Sequence, residues 1–142
     1  MIAIGSDHGG YALKEIVKKH LQEKGYEILD VGCDSLDACD YPVYGKKVGE
    51  EVASGRCEKG VAICTTGIGI SIAANKIPGI RAALCSEPLS ARMTRLHNDA
   101  NVLAMGAGFV GKELALEITD VFFDTKFSNA ERHIRRVNSI EK

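Results

Sequence analysis

The chain has 142 residues, the size of one domain, and 45% of them are hydrophobic against 26% charged, a balance that supports a core without disulfides or structural metal. Its formal net charge of -1 argues against a nucleic-acid-binding protein, which needs a basic face, so any phosphate site must be local. No apolar run approaches the roughly 18 residues of a membrane span, and the opening Met1–Gly10 stretch breaks too early for a signal peptide.

No linker or internal repeat divides residues 1–142, and the elements alternate from the start. Ile2–Gly5 reads as a short buried strand ending in a polar cluster. Leu13, Ile16, Val17 and Leu21 fall at helical spacing, and Gly25 ends that helix. Tyr26–Val31 predicts the second strand. A polar loop runs to Tyr41-Pro42, and a helix follows with Tyr44, Val48 and Val52 on one face. Val61–Cys64 is the third strand, followed by a Thr-Thr-Gly-Ile-Gly loop and a short helix from Ile70 to about Asn75. Ile80–Leu84 is the fourth strand. Ser86 and Pro88 start a helix that runs to about His97. Val102–Met105 is the fifth strand, Leu114, Ala115, Ile118 and Phe122 stripe the fifth helix, and Glu131–Ile140 reads as a basic C-terminal helix. Five strand–helix units in succession predict an α/β fold, a doubly wound five-stranded parallel sheet with an extra C-terminal helix. The expected strand order is 2-1-3-4-5, which opens a crevice at the C-terminal ends of the first and third strands. Those ends carry Ser6-Asp7-His8-Gly9-Gly10 and Cys64-Thr65-Thr66-Gly67-Ile68-Gly69.

A cysteine that ends a strand is usually a small buried hydrophobe, and the glycines after it can serve packing alone. The loop lacks both the Gly-Lys-Ser/Thr of a nucleotide-binding P-loop and a dinucleotide fingerprint. Its chemical reading is nonetheless specific. Successive backbone N–H groups opening a helix make a pocket for negative charge, and the same partial charge favours the thiolate of a cysteine beside them. A thiolate next to an oxyanion pocket suits proton abstraction alpha to a carbonyl, through an enediolate. It equally suits acyl transfer with Cys64 as nucleophile. The five cysteines (Cys33, Cys39, Cys57, Cys64, Cys85) are an odd number without a C-x-x-C pair and read as free thiols in a reducing cytoplasm, not as metal ligands. His20 lies inside the first helix and reads as structural. Arg132 and Arg136, four apart on the last helix, share a face that could grip a dianion or simply be solvated.

Taken together, these segments resemble the family of ribose-5-phosphate isomerase B and the galactose-6-phosphate isomerase subunits. The resemblance runs over essentially the whole chain. Gly5-Ser6-Asp7-His8-Gly9-Gly10, Asp40-Tyr41-Pro42, the stretch Ile63–Lys76, Gly79-Ile80-Arg81-Ala82, His97-Asn98-Asp99-Ala100-Asn101, Arg132-His133 and Arg136-Val137 carry it. It implies a flavodoxin-like fold and a cytoplasmic aldose–ketose isomerase of sugar phosphates that uses no metal or other cofactor. It further implies a homodimer, or a dimer of dimers, whose active sites draw on both chains, with no nucleic-acid or membrane partner. The expected substrate is ribose 5-phosphate, with a hexose 6-phosphate (allose or galactose) or a non-catalytic phosphosugar-binding module as alternatives. By the same resemblance Cys64 is the base between C1 and C2, and the amides of Thr65, Thr66, Gly67, Ile68 and Gly69 receive the enediolate. His97 helps to open the furanose ring with Asp7 as partner; His8, Arg132 and Arg136 hold the phosphate; Asn98 meets sugar hydroxyls and Tyr41 lines the pocket.

Three positions depart from the family pattern. Thr65 stands where the family usually has glycine after the cysteine. Gly108, in Gly106-Ala107-Gly108-Phe109-Val110-Gly111, stands where a phosphate-binding arginine is usual and is expected to leave a vacated space. Asn129-Ala130-Glu131 precedes Arg132 where the family has two glycines.

Overall fold

A computed structural model describes residues 1–142. Five strands, β1 (Ile2–Ser6), β2 (Ile28–Gly32), β3 (Lys59–Cys64), β4 (Ala82–Leu84) and β5 (Val102–Gly106), form one sheet in which every pairing is parallel. Helices α1 (Tyr11–Glu23), α2 (Tyr41–Ala53), α3 (Ile68–Asn75), α4 (Pro88–Asn98) and α5 (Lys112–Asp124) connect or follow them, and α6 (Glu131–Ile140) closes the chain. None of these helices is long and apolar enough to cross a membrane.

Alternation along the strands sorts the side chains into two cores. Ile2, Ile4, Val61, Ile63, Leu103 and Met105 pack with Leu13, Val17, Ile118 and Phe122 of α1 and α5. Ala3, Ala62, Cys64, Val102 and Ala104 face the other way, towards Val48 of α2 and Ile70 and Ala74 of α3. The second layer is built for close approach. A Cβ on Gly45 would stand 2.9 Å from Ile70 O, so the backbones of α2 and α3 approach closely there.

The strand order is 2-1-3-5-4, which corrects the expected 2-1-3-4-5 at its last two positions. A helical crossover can return a strand to either side of its predecessor, so burial decides the matter. All five residues of β5 are buried, and it lies between β3 and β4. β4 has only three residues, half-buried to exposed, and takes the edge, where short strands are tolerated. The Asn75 side chain covers its open edge, accepting from Ala82 N–H at 2.8 Å and donating to Ala82 O at 3.0 Å. That pairing begins the strand at Ala82 rather than Ile80. Tyr26, expected at the start of β2, instead sets its ring 5.4 Å from that of Phe123. Tyr41 belongs to α2 and not to the preceding loop, with Pro42 in its first turn, where the missing N–H is harmless.

Candidate active site

Reversal of winding direction between β1 and β3 puts their C-terminal ends side by side, with Ser6 paired to Ile63. Asp7 leaves β1 buried, and its Oδ1 accepts the Gly10 N–H at 3.0 Å, capping a short 3-10 turn at His8–Gly10. His8 Nδ1 accepts the Cys39 N–H at 3.2 Å, so the ring carries its proton on Nε2 and can donate from there.

Cys64 ends β3 almost fully buried, with its Sγ accepting the Gly67 N–H at 3.1 Å. Gly67 has φ 76°, in the left-handed region, and this turn sends the chain into α3. The Thr66 hydroxyl lies 3.9 Å from Cys64 Sγ and accepts the Ile68 N–H at 3.1 Å. Two of the amides expected to face an oxyanion are therefore committed, Gly67 to the sulfur and Ile68 to Thr66. The Thr65, Thr66 and Gly69 N–H groups have no protein acceptor and stay available. A cavity of about 340 Å³ opens here, lined by Asp7, Tyr41, Cys64, Thr65, Thr66, Ile68 and Gly69. The Tyr41 ring closes one side so tightly that a Cβ on Gly69 would meet its Cε1 at 2.5 Å. A soft nucleophile or base, a buried carboxylate and unpaired amides thus converge on one small volume.

Because β5 lies beside β3, the turn after β5 is stitched to the cysteine loop. Ala107 N–H donates to Cys64 O at 2.9 Å and Gly108 N–H to Thr65 O at 2.8 Å. The space expected to be vacant at exposed Gly108 is bounded on one side by Thr65. A Cβ there would lie 3.0 Å from Thr65 O and 3.2 Å from Thr65 Cγ2.

His97, Asn98, Arg132 and Arg136 gather elsewhere. They line a second cavity, of about 380 Å³, and no residue belongs to both cavities. The His97 and His133 rings stand 4.5 Å apart, and His133 Nδ1 is 2.7 Å from Ser128 Oγ. Burial, then the charges of Arg132, His97 and Arg136, hold the His133 imidazole below its ordinary value. Arg132 and Arg136 are exposed and neither has a carboxylate partner, leaving two cations one turn apart for an anion. Topology separates the two cavities. In a parallel sheet each crossover helix carries the chain back to the strands' N-terminal ends, so His97, at the end of α4, sits where β5 begins. The Arg81 guanidinium, just ahead of β4, donates to Asn98 O at 2.9 Å and confirms that position. Cys64 pairs with Gly106 at the far end of β5, a strand's length away, roughly 13 Å at 3.3 Å per residue.

Several supporting residues lie outside the sequence reading. Buried Arg95 donates to Asp99 Oδ1 at 2.8 Å, Ala100 O at 2.7 Å and Thr125 O at 3.0 Å, fixing the turn that presents His97 and Asn98. The four-residue spacing of Arg95 and Asp99 is the signal that could have found it. Fully buried Lys14 donates to both oxygens of Asp30 and to Cys33 O, anchoring the loop that brings Cys39 to His8. His20, read as structural, pairs with Asp120 at 2.7 Å and ties α1 to α5. All five cysteines are free, and nowhere do three His, Cys, Asp or Glu side chains converge as metal ligands would.

The profile of the Ribose/Galactose Isomerase family matches residues 2–140. Ribose-5-phosphate isomerase B of Escherichia coli strain K12 is 49% identical over 139 residues, 98% of this chain and 93% of the relative. Among solved structures, that of Clostridium thermocellum ribose-5-phosphate isomerase B has a TM-score of 0.97 at 52% identity, covering 99% of this chain and 94% of the other. That of Mycoplasma genitalium ribose-5-phosphate isomerase B, with bound ribulose 5-phosphate, has a TM-score of 0.94 at 37% identity, covering 99% and 93%.

Proposed function

Because the chain belongs to the ribose/galactose isomerase family, we propose that it interconverts ribose 5-phosphate and ribulose 5-phosphate. The observation that carries the reading is the Cys64 loop, with its sulfur beside the Gly67 N–H and unpaired amides around a cavity large enough for a sugar. In the open-chain aldose, Cys64 thiolate takes the proton from C2, and the electron pair moves into an enediolate. The N–H groups of Thr65, Thr66 and Gly69 hold the developing oxyanion. The O2 hydroxyl proton passes to O1 as the thiol returns its proton to C1, so that C2–O2 becomes the ketose carbonyl with no net loss or gain of atoms. The Gly67 N–H donates to the sulfur and holds it in place.

A furanose must open first, and its phosphate must be held. His97, Arg132 and Arg136 suit these tasks, with His8 and Asp7 at the other end, but one chain holds the two groups at opposite ends of its sheet. The reading therefore includes a homodimer in which each site takes Cys64 from one copy and His97 with the arginines from the other. Exposed apolar side chains Ile68, Ile72, Leu84 and Leu89, on α3, β4 and α4 beside the Cys64 loop, offer a surface for that contact. Five free thiols suit a reducing cytoplasm.

One experiment tests chemistry and assembly together. Cys64→Ala and His97→Ala are each assayed for ketose formation from ribose 5-phosphate, then mixed after gentle unfolding and refolding. Cys64→Ala should lose on the order of 100- to 10,000-fold in turnover. In a two-fold symmetric dimer with shared sites, half the refolded dimers are mixed and each has one intact site, so about a quarter of wild-type activity should return. More than about a tenth of wild-type turnover in Cys64→Ala removes the cysteine as base. No recovery on mixing removes the shared site.

A further inference from the structure

Thr65 occupies an unusual place in the loop. Its carbonyl is pinned by the Gly108 N–H at 2.8 Å, and its side chain stands between two glycines from different elements. On one side, a Cβ on Gly108 would lie 3.2 Å from Thr65 Cγ2. On the other, a Cβ on Gly9 would collide with Thr65 Oγ1 and lie 3.4 Å from its Cβ. Any larger residue at either glycine would contest the volume that the threonine fills. Thr65 is β-branched, so its χ1 is stiff, and it is an exposed residue among those lining the Cys64 cavity. Its hydroxyl makes no hydrogen bond within the protein. Neighbouring Thr66, by contrast, spends its hydroxyl on the Ile68 N–H. Nothing in the backbone of the loop requires a side chain at position 65; its presence is explained by the space between Gly9 and Gly108.

We propose that Thr65, wedged between Gly9 and Gly108 on the rim of the Cys64 cavity, is a size filter that limits the length of the phosphosugar the site accepts. This rests on the isomerase reading above and adds to it the residue that sets sugar length. The reacting carbons must reach Cys64 while the phosphate lies away from it. A sugar with one further hydroxymethylene must put that unit somewhere along the wall between them. Among the residues lining the cavity, Thr65 is the one also in close contact with both Gly9 and Gly108, and it has no side-chain hydrogen bond to lose. The three atoms Cβ, Cγ2 and Oγ1 are together about what one hydroxymethylene needs. A pocket wall discriminates a single carbon unit by about 10- to 200-fold, and that range sets the scale of the filter.

The test compares kcat/KM for ribose 5-phosphate and allose 6-phosphate in wild type, Thr65→Gly, Thr65→Ala and Thr65→Val, with thermal melts to confirm folding. The wild type should favour the pentose. In Thr65→Gly the ratio of the two should fall at least 10-fold, and reading the ratio cancels any loss common to both sugars from disturbing the Thr65 N–H. Thr65→Ala keeps the Cβ and should fall less, and it carries the test if glycine loosens the loop. Thr65→Val keeps the bulk without the hydroxyl and should stay within about 3-fold of wild type. An unchanged ratio in both small variants overturns the filter. So does a fall in Thr65→Val as large as in Thr65→Gly, which would mean that the hydroxyl reads the sugar rather than the bulk. A wild type that isomerises neither sugar overturns the isomerase reading and the filter with it. A wild type active on ribose 5-phosphate with indifferent variants overturns the filter alone.

Discussion

Gly67 and Gly25 make a matched pair for testing how the cysteine loop is built. Both have positive φ, 76° and 95°, so alanine at either pays the left-handed penalty of about 1–2 kcal/mol. The surroundings differ. A Cβ on Gly25 meets nothing within 4 Å, whereas on Gly67 it would lie 2.6 Å from Met105 C and 2.8 Å from Gly106 N. Those atoms belong to β5, a central strand held on both sides, so they cannot move aside cheaply, and overpacking adds about 1–3 kcal/mol. Gly25→Ala should therefore cost about 1 kcal/mol and Gly67→Ala about 3 kcal/mol, read as shifts of the urea midpoint at constant m. The chemistry should separate them further. Moving the Gly67 amide takes its N–H off the Cys64 sulfur, and a hydrogen bond to a charged group is worth about 1.5–3 kcal/mol, so turnover should fall roughly 10- to 100-fold. Gly25→Ala should keep wild-type kcat. Equal losses of stability in the two variants would refute the argument that contact with β5, beyond backbone conformation alone, shapes the loop.

Two further outcomes are expected. Lys14→Met keeps the length of the buried side chain but leaves Cys33 O unpaired and Asp30 with only Lys18 and the Gly32 N–H; denaturant unfolding should show a loss of about 3 kcal/mol, and a loss below about 1 kcal/mol would show that the network is dispensable. His133 titrates below its ordinary 6.5 in the folded chain, so between that depressed value and 6.5 the unfolded chain binds more protons, and stability is lost as pH falls through the window. His133→Asn should flatten the dependence of the urea midpoint between pH 8 and pH 5, and an unchanged slope would remove burial against Arg132 as its cause.

Local pattern alone determined a good part of this protein. Short apolar runs, helical spacing and Gly/Pro boundaries located the five strands and six helices, and Glu131–Ile140 came out with the bounds the structure has. The Cys64 loop was legible because a glycine-rich turn between a strand and a helix has few other uses. The segments that resemble the isomerase family carried the roles assigned to Cys64, His97 and the arginines. What only the tertiary structure decided is lateral. Crossover helices let a strand insert on either side of its neighbour, so the exchange of β4 and β5 had no local signal, and β4 proved short only once folded. From that exchange follows the contact of the Gly106–Gly108 turn with Thr65, which links two positions 43 apart that look unrelated in sequence. Burial of Lys14 and Arg95 was equally hidden, since a charged residue on a helix is normally solvated and goes inside only where several acceptors converge. The separation of His97 from Cys64 needed the sheet as well. Two motifs at the ends of neighbouring elements lie together or a full strand apart depending on which end of the sheet each element reaches, and chain direction sets that only once the strands are aligned.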